Sequence, residues 1–229
     1  MHSIMQLGLQ KKLTILFWSL ALLDIVCIIS ELRLAHCIVK ILLIPALIVL
    51  LSSSKDGKGR KMILTGLVFS WIGDGLLLFE GTDSLFFIGG LASFLLTHIF
   101  YIVYFLSINS PNISLLKKQP LLSLLVIAYG GGLVWLLFPH LGAMKIPVMA
   151  YAVVISTMLI SSLYAYGKVN KAAGNAYVLG ALAFVLSDSL LAINKFYQPI
   201  PYAGVFIMLT YCAAQFLIVR GYLKLQPAN

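Results

Sequence analysis

Leu85-Phe-Phe-Ile-Gly-Gly-Leu-Ala-Ser-Phe-Leu-Leu-Thr-His98-Ile-Phe-Tyr-Ile-Val-Tyr-Phe-Leu-Ser107 runs twenty-three residues without an acid, a lysine or an arginine. As a helix it would reach about 34 Å, enough to cross the ~30 Å hydrocarbon core of a bilayer. Working outward, similar runs recur along the chain, separated by short clusters of charge, Gly, Pro and Ser. They place eight spans at about 13–30, 34–51, 61–79, 85–107, 121–138, 146–166, 173–193 and 202–223. Across all 229 residues, 61% are hydrophobic and only 10% charged. A water-facing surface needs about a quarter charged residues, whereas a lipid-facing one forbids them. The expectation is therefore all-α: a polytopic membrane bundle of about eight helices, residues 1–229 forming one integral membrane domain.

The run Leu13–Ile29 follows Lys11 and Lys12 like a signal peptide but lacks a small-x-small cleavage site, so it reads as the first span. The three cysteines, Cys27, Cys37 and Cys212, lie in or beside apolar runs without C-x-x-C spacing and read as buried thiols.

The net charge of +9 is explained by where the cations sit. Assigned to alternate ends of eight spans, twelve basic residues share the side of both termini: Lys11, Lys12, Lys55, Lys58, Arg60, Lys61, Lys117, Lys118, Lys168, Lys171, Arg220 and Lys224. Only Arg33, Lys145 and Lys195 fall on the other, while Lys40 lies within the second span. This is the positive-inside asymmetry, so a cell membrane with both termini cytoplasmic is expected, and a nucleic-acid partner is not.

Two spans repeat a pattern around an acid. Gly66-Leu-Val-Phe-Ser-Trp-Ile-Gly73-Asp74-Gly-Leu-Leu and Gly180-Ala-Leu-Ala-Phe-Val-Leu-Ser187-Asp188-Ser-Leu-Leu each place a glycine eight residues before the aspartate, small flanking residues, then two leucines. The following spans carry His98 and Tyr211 at similar offsets. Four spans separate the copies, as in a four-plus-four parallel duplication.

A charge at the bilayer centre costs about 2.5–3.5 kcal/mol on insertion scales, so intramembrane ionisable groups are site candidates. They are Asp24, Lys40, Asp74, His98 and Asp188, with Tyr151, Asn194, Tyr211 and Gln215 adding hydrogen-bonding capacity. Asp74 lies thirteen residues past Lys61 and Asp188 seventeen past Lys171. Helical rise puts both roughly 20–25 Å from the cytoplasmic face, with Asp24 and Lys40 at similar depth and His98 and Gln215 nearer the middle. Blander readings stand beside these. The aspartates pair with Lys40 or with serines to hold the fold; Asp24 is a packing acid; His98 ties two helices; Tyr151 and Tyr211 are packing residues with a polar tip. Gly89-Gly90 and a kink at Pro45 serve packing.

No G-x-S-x-G, H-E-x-x-H, Walker or dinucleotide fingerprint is present. Two aspartates and a histidine are donors that a metal accepts, yet neither spacing nor ligand number calls for one. Two carboxyl groups in a low-dielectric cavity resist ionising together, so one can give a proton while the other stabilises a cation or activates water. The residues alone leave the substrate open. They also fit a proton-coupled transporter or a metal-dependent intramembrane lipid hydrolase.

Lys40-Ile-Leu-Leu-Ile-Pro45, Phe69-Ser-Trp-Ile-Gly-Asp74, Thr97-His98-Ile-Phe-Tyr101, Phe184-Val-Leu-Ser-Asp188-Ser-Leu-Leu-Ala-Ile-Asn194-Lys-Phe and Tyr211-Cys-Ala-Ala-Gln215 together resemble the YhhN-like lysoplasmalogenases, in order and over nearly the whole chain. The second span departs mildly, Pro45 being displaced from the position where that family's proline follows the lysine. The resemblance implies hydrolysis of the vinyl ether of a lysoplasmalogen to a fatty aldehyde and glycerophosphoethanolamine or glycerophosphocholine. It implies Asp74 and Asp188 as catalytic residues, Lys40, His98, Tyr151, Asn194, Tyr211 and Gln215 around the lysophospholipid, and no cofactor. Asp188 is expected as proton donor and Asp74 as base or stabiliser, with Lys40 near the phosphate or the ionised acid.

Overall fold

The structure is a computed structural model that describes residues 2–54, 56, 57 and 59–225, with side chains from Gln6 onward. Of the cytoplasmic cations expected above, Lys55 and Lys58 lie outside the described residues. The architecture is all-α: α1 His2–Ile29, α2 Arg33–Ser52, α3 Arg60–Leu77, α4 Ser84–Ser107, a short α5 Leu115–Lys118, α6 Leu121–Leu137, α7 Lys145–Ala165, α8 Lys171–Ala192 and α9 Ala203–Leu223. Each of the eight expected spans is a helix of seventeen residues or more. Among the described residues, seven segments are long and apolar enough to cross a membrane. The exception is α3, whose eighteen residues include Arg60, Lys61 and Asp74. Helix α1 starts well before residue 13, because no proline lies between His2 and Lys12 and the helix runs through the single Gly8. Gln6 Nε2 ties it to the end of α2 by donating to the Ser53 carbonyl at 2.6 Å.

Local chemistry sets the boundaries. Asp83 Oδ1 accepts from the Leu85 amide at 2.8 Å and caps α4; Asn170 Oδ1 accepts from the Ala173 amide at 2.8 Å and caps α8. Helix α8 ends in a π-helical turn, Ile193–Tyr197, of the kind that accompanies functional sites. Pro45 lies inside α2 and has no N–H to offer the carbonyl four residues earlier. Trp71 Nε1 from α3 donates to that carbonyl, Ile41, at 2.9 Å, so the proline's missing bond becomes a tie between helices.

Packing follows the small residues. Helix α3 lies on α4 and α8 on α9; α2 bridges α1 and α3, α7 bridges α6 and α8, and cross-contacts run from α4 to α7 and from α9 to α1 and α2. A Cβ added to Gly66 would fall 2.6 Å from the Tyr101 ring, and one at Gly221 would fall 2.4 Å from Tyr177. Gly180 faces the backbone of Ala214 and Ile218 directly, the close helix approach that membrane packing favours. Outside, large apolar side chains face outward around the bundle, Trp135 at 81% and Leu34 at 77% exposure among them. The chain is a multi-pass membrane protein, its outer surface solvated by lipid rather than water.

Candidate active site

A cavity of about 760 Å³ lies among α1, α2, α3, α4, α7, α8 and α9 and reaches the end of the bundle that carries Glu31, Glu80 and Gly81. Its volume is in the range of small-molecule sites, and apolar side chains such as Phe87, Leu91, Phe94 and Met208 cover much of its wall. Asp74 from α3 and Asp188 from α8 both line it.

Each carboxyl group has its own partners. Asp74 is buried; its Oδ2 accepts from the Tyr211 hydroxyl at 2.6 Å, and its Oδ1 lies 3.8 Å from Lys40 Nζ. Asp188 is half-buried, and its Oδ2 takes the Tyr151 hydroxyl at 2.5 Å and His98 Nε2 at 3.2 Å. His98 Nε2 is also 2.9 Å from the Tyr151 oxygen. His98 is fully buried and its Nδ1 has no partner among the described residues. Asp74 therefore faces a lysine ammonium, whereas Asp188 meets a tyrosine hydroxyl and an imidazole nitrogen on one oxygen and keeps Oδ1 free of them.

The pairing is crosswise. His98, one helix after Asp74, serves Asp188; Tyr211, one helix after Asp188, serves Asp74. Lys40 reaches Asp74 from α2, and Tyr151 reaches Asp188 from α7. Phe184 joins the two groups, its ring edge-on to both His98 and Tyr211.

A model of the YhhN family matches residues 35–222. The chain belongs to the YhhN family. Among its curated relatives, a Homo sapiens protein named lysoplasmalogenase TMEM86B is 34% identical over 172 residues, covering 75% of this chain and 67% of that one. The Sus scrofa protein of the same name is 36% identical over 186 residues, covering 79% and 72%. A Mycobacterium tuberculosis protein named lysoplasmalogenase is 31% identical over 168 residues, covering 72% and 62%. No solved structure matches significantly.

Of the site residues expected from sequence in this YhhN-family chain, Lys40, Asp74, Tyr151, Asp188, Asn194 and Tyr211 line the cavity. His98 stands behind the wall, reaching the site through Asp188 and Tyr151. Gln215 does not line the cavity. It donates to Ser70 Oγ at 2.7 Å and accepts from the Tyr101 hydroxyl at 2.6 Å, locking α9 to α3 and α4 one turn from Tyr211. Asn194 lines the cavity and also accepts from the Ile200 amide at 2.9 Å, shaping the α8–α9 connection. Ser187 lines the cavity too, while Ser189 accepts from Tyr129 at 2.9 Å away from it. Sequence reasoning missed Arg33 and His36. They share one face of α2 with Lys40, and that spacing of three and four residues was the available signal. Asp24 is not a cavity residue; it is buried and its Oδ1 lies 2.8 Å from His36 Nδ1. Among the described residues, no three His, Cys, Asp or Glu side chains form a group that could hold a metal.

Proposed function

We propose that this protein hydrolyses the vinyl ether bond of a lysoplasmalogen, releasing a fatty aldehyde and a glycerophospho-alcohol. The observation that carries the reading is the unlike environment of two carboxyl groups in one cavity: Asp74 beside an ammonium, Asp188 on a tyrosine hydroxyl and an imidazole nitrogen. The family's curated relatives bear the name of that activity.

Vinyl ether hydrolysis needs a proton on the alkenyl carbon distal to oxygen. Asp188 gives it from Oδ1, the oxygen not engaged by Tyr151 and His98, and the ether becomes an oxocarbenium ion. Asp74, its negative charge favoured by Lys40 and its carboxyl group oriented by Tyr211, stabilises that cation and takes a proton from water as the water oxygen adds to the carbon bearing the ether oxygen. The hemiacetal then collapses, its hydroxyl proton passing to the leaving glycerol oxygen, and the proton that Asp74 took from water returns through solvent to Asp188. One water is consumed, one C–O bond breaks, and no electron changes hands.

The crosswise pairing supports a four-plus-four duplication, one acid per half. We take residues 1–229 as one integral membrane domain in the cell membrane, both termini cytoplasmic, following the basic-residue bias. The deciding experiment is aldehyde release by purified protein in detergent from 1-alkenyl-glycerophosphoethanolamine. Turnover without a second compartment supports the reading, and no aldehyde at any enzyme concentration rejects it. A transporter built on the same acids would release none.

A further inference from the structure

Three basic side chains line the cavity along one face of α2: Arg33, His36 and Lys40. Successive helical positions put them within about 60° around the axis and spread them over about 10 Å of depth. Lys40, the deepest, is engaged with Asp74. Arg33, at the exposed end, makes no side-chain hydrogen bond or ion pair among the described residues, and α2 begins there without a side-chain cap. A lone guanidinium at the N-terminus of a helix is suited to an oxyanion.

His36 is prepared for the same task. Its Nδ1 is 2.8 Å from Asp24 Oδ1, on a carboxylate that is almost fully buried in α1 and whose Oδ2 has no partner among the described residues. With Nδ1 bound to Asp24, the ring is fixed and Nε2 remains for the cavity. The mechanism described above uses neither Asp24 nor His36. Beside Arg33, Glu31 also lines the cavity and holds a left-handed backbone, φ 57°, which a glutamate seldom adopts.

We propose that Arg33 and His36 form a phosphate subsite that holds the phosphodiester of the lysophospholipid at the cavity mouth, with Asp24 as a positioning residue for His36. The proposal rests on the vinyl-ether reading for the identity of the substrate. Five bonds separate the phosphorus from the sn-1 ether oxygen, a reach of about one helical turn. His36 lies one turn above Lys40, so a phosphate held there leaves the vinyl ether at the level of Asp74. Glu31, at the rim, offers its carboxylate to the ammonium of a zwitterionic head group.

The test compares kcat/KM for 1-alkenyl-glycerophosphoethanolamine with that for 1-alkenyl-glycerol, which has no phosphate, using the full chain in detergent. Arg33→Gln and His36→Gln should each reduce the preference for the phosphorylated substrate at least about tenfold, through KM. Arg33→Lys, which keeps the charge, should restore much of it. Asp24→Asn should reduce the same preference, and the Asp24→Asn/His36→Gln double variant should be no worse than His36→Gln alone. A preference that does not change, or two substrates that decline together, would overturn the subsite. If the unmodified protein cleaves neither substrate, the vinyl-ether reading fails by itself. The subsite is then judged by thermal stabilisation with non-hydrolysable 1-alkyl-glycerophosphoethanolamine against 1-alkyl-glycerol. Greater stabilisation by the phosphate compound, lost in Arg33→Gln, upholds it; equal stabilisation rejects it.

Discussion

Asp74 and Asp188 carry the same functional group, and what separates them is their neighbours. Lys40 Nζ, 3.8 Å away, favours negative charge on Asp74, while Tyr151 and His98 occupy a single oxygen of Asp188. Asp74→Asn and Asp188→Asn retain size and hydrogen bonding but remove charge and proton donation. Each should lower turnover at least about a hundredfold, and the double variant should cost far less than the product of the two. Asp188→Asn should melt close to the parent, because a neutral amide lowers the cost of burial, whereas Asp74→Asn should melt lower while still folding, because it strips Lys40 of its counter-charge. Active, well-folded variants would refute the assignment, and inactive variants that have lost their melting transition would point to a structural role. Lys40→Met should depress kcat more than it raises KM, since its nearest charged neighbour is Asp74. The reverse split, from steady-state kinetics, would move Lys40 to the head-group side.

At the scale of elements, the site depends on how closely α8 meets α9 and α3 meets α4. Gly180 faces backbone atoms of α9, Ala214 O and Ile218 N, at 3.1 and 3.2 Å from where a Cβ would stand, and backbone cannot swing aside as a side chain can. Gly180→Val should therefore push α8 from α9, destabilise the bundle by about 1–3 kcal/mol and reduce activity by shifting Asp188 against Tyr151. Gly131→Ala is the matched control, because no atom lies within 4 Å of its added Cβ. Thermal melting and aldehyde release on the same samples distinguish the outcomes. Equal stability of the two variants would show that the α8–α9 approach is not limiting. Trp71→Phe tests a different joint, leaving the Ile41 carbonyl without its donor beside Pro45 at a cost of about 1 kcal/mol.

For the whole molecule, the twelve-to-three bias of basic residues predicts that reporters fused after Asn229 and inserted between α2 and α3 both report the cytoplasm. Asn229, like Lys55 and Lys58, lies outside the described residues. A C-terminal reporter on the opposite side would break the eight-span topology. If carboxyl groups do the chemistry, EDTA or phenanthroline should leave aldehyde release largely intact. Loss on chelation with rescue by zinc would instead recruit Asp188 and His98 as ligands.

The spans were legible in the sequence because lipid imposes a one-dimensional rule: about twenty apolar residues, charges at the ends, no break in the backbone hydrogen bonds. Runs such as Leu85–Ser107 obey it, and the eight expected helices are found with ends shifted by a few residues, apart from the longer α1. The acids were legible for the same reason, since a carboxyl group inside such a run is costly enough to stand out. Partners were not. The local repeat around Asp74 and Asp188 set His98 beside one and Tyr211 beside the other in chain order, and tertiary packing exchanged them. Gln215, polar and deep, read as a site residue, yet α9 turns it onto Ser70 and Tyr101. His36 and Arg33, near a helix end where charge is cheap, gave no energetic signal, yet α2 directs both into the cavity. Insertion cost depends on a residue's depth along its own helix, which sequence records. Which side chains meet depends on how each helix is rotated against its neighbours, and glycine contacts between distant segments, such as Gly180 against Ala214, set that rotation only once the bundle has formed.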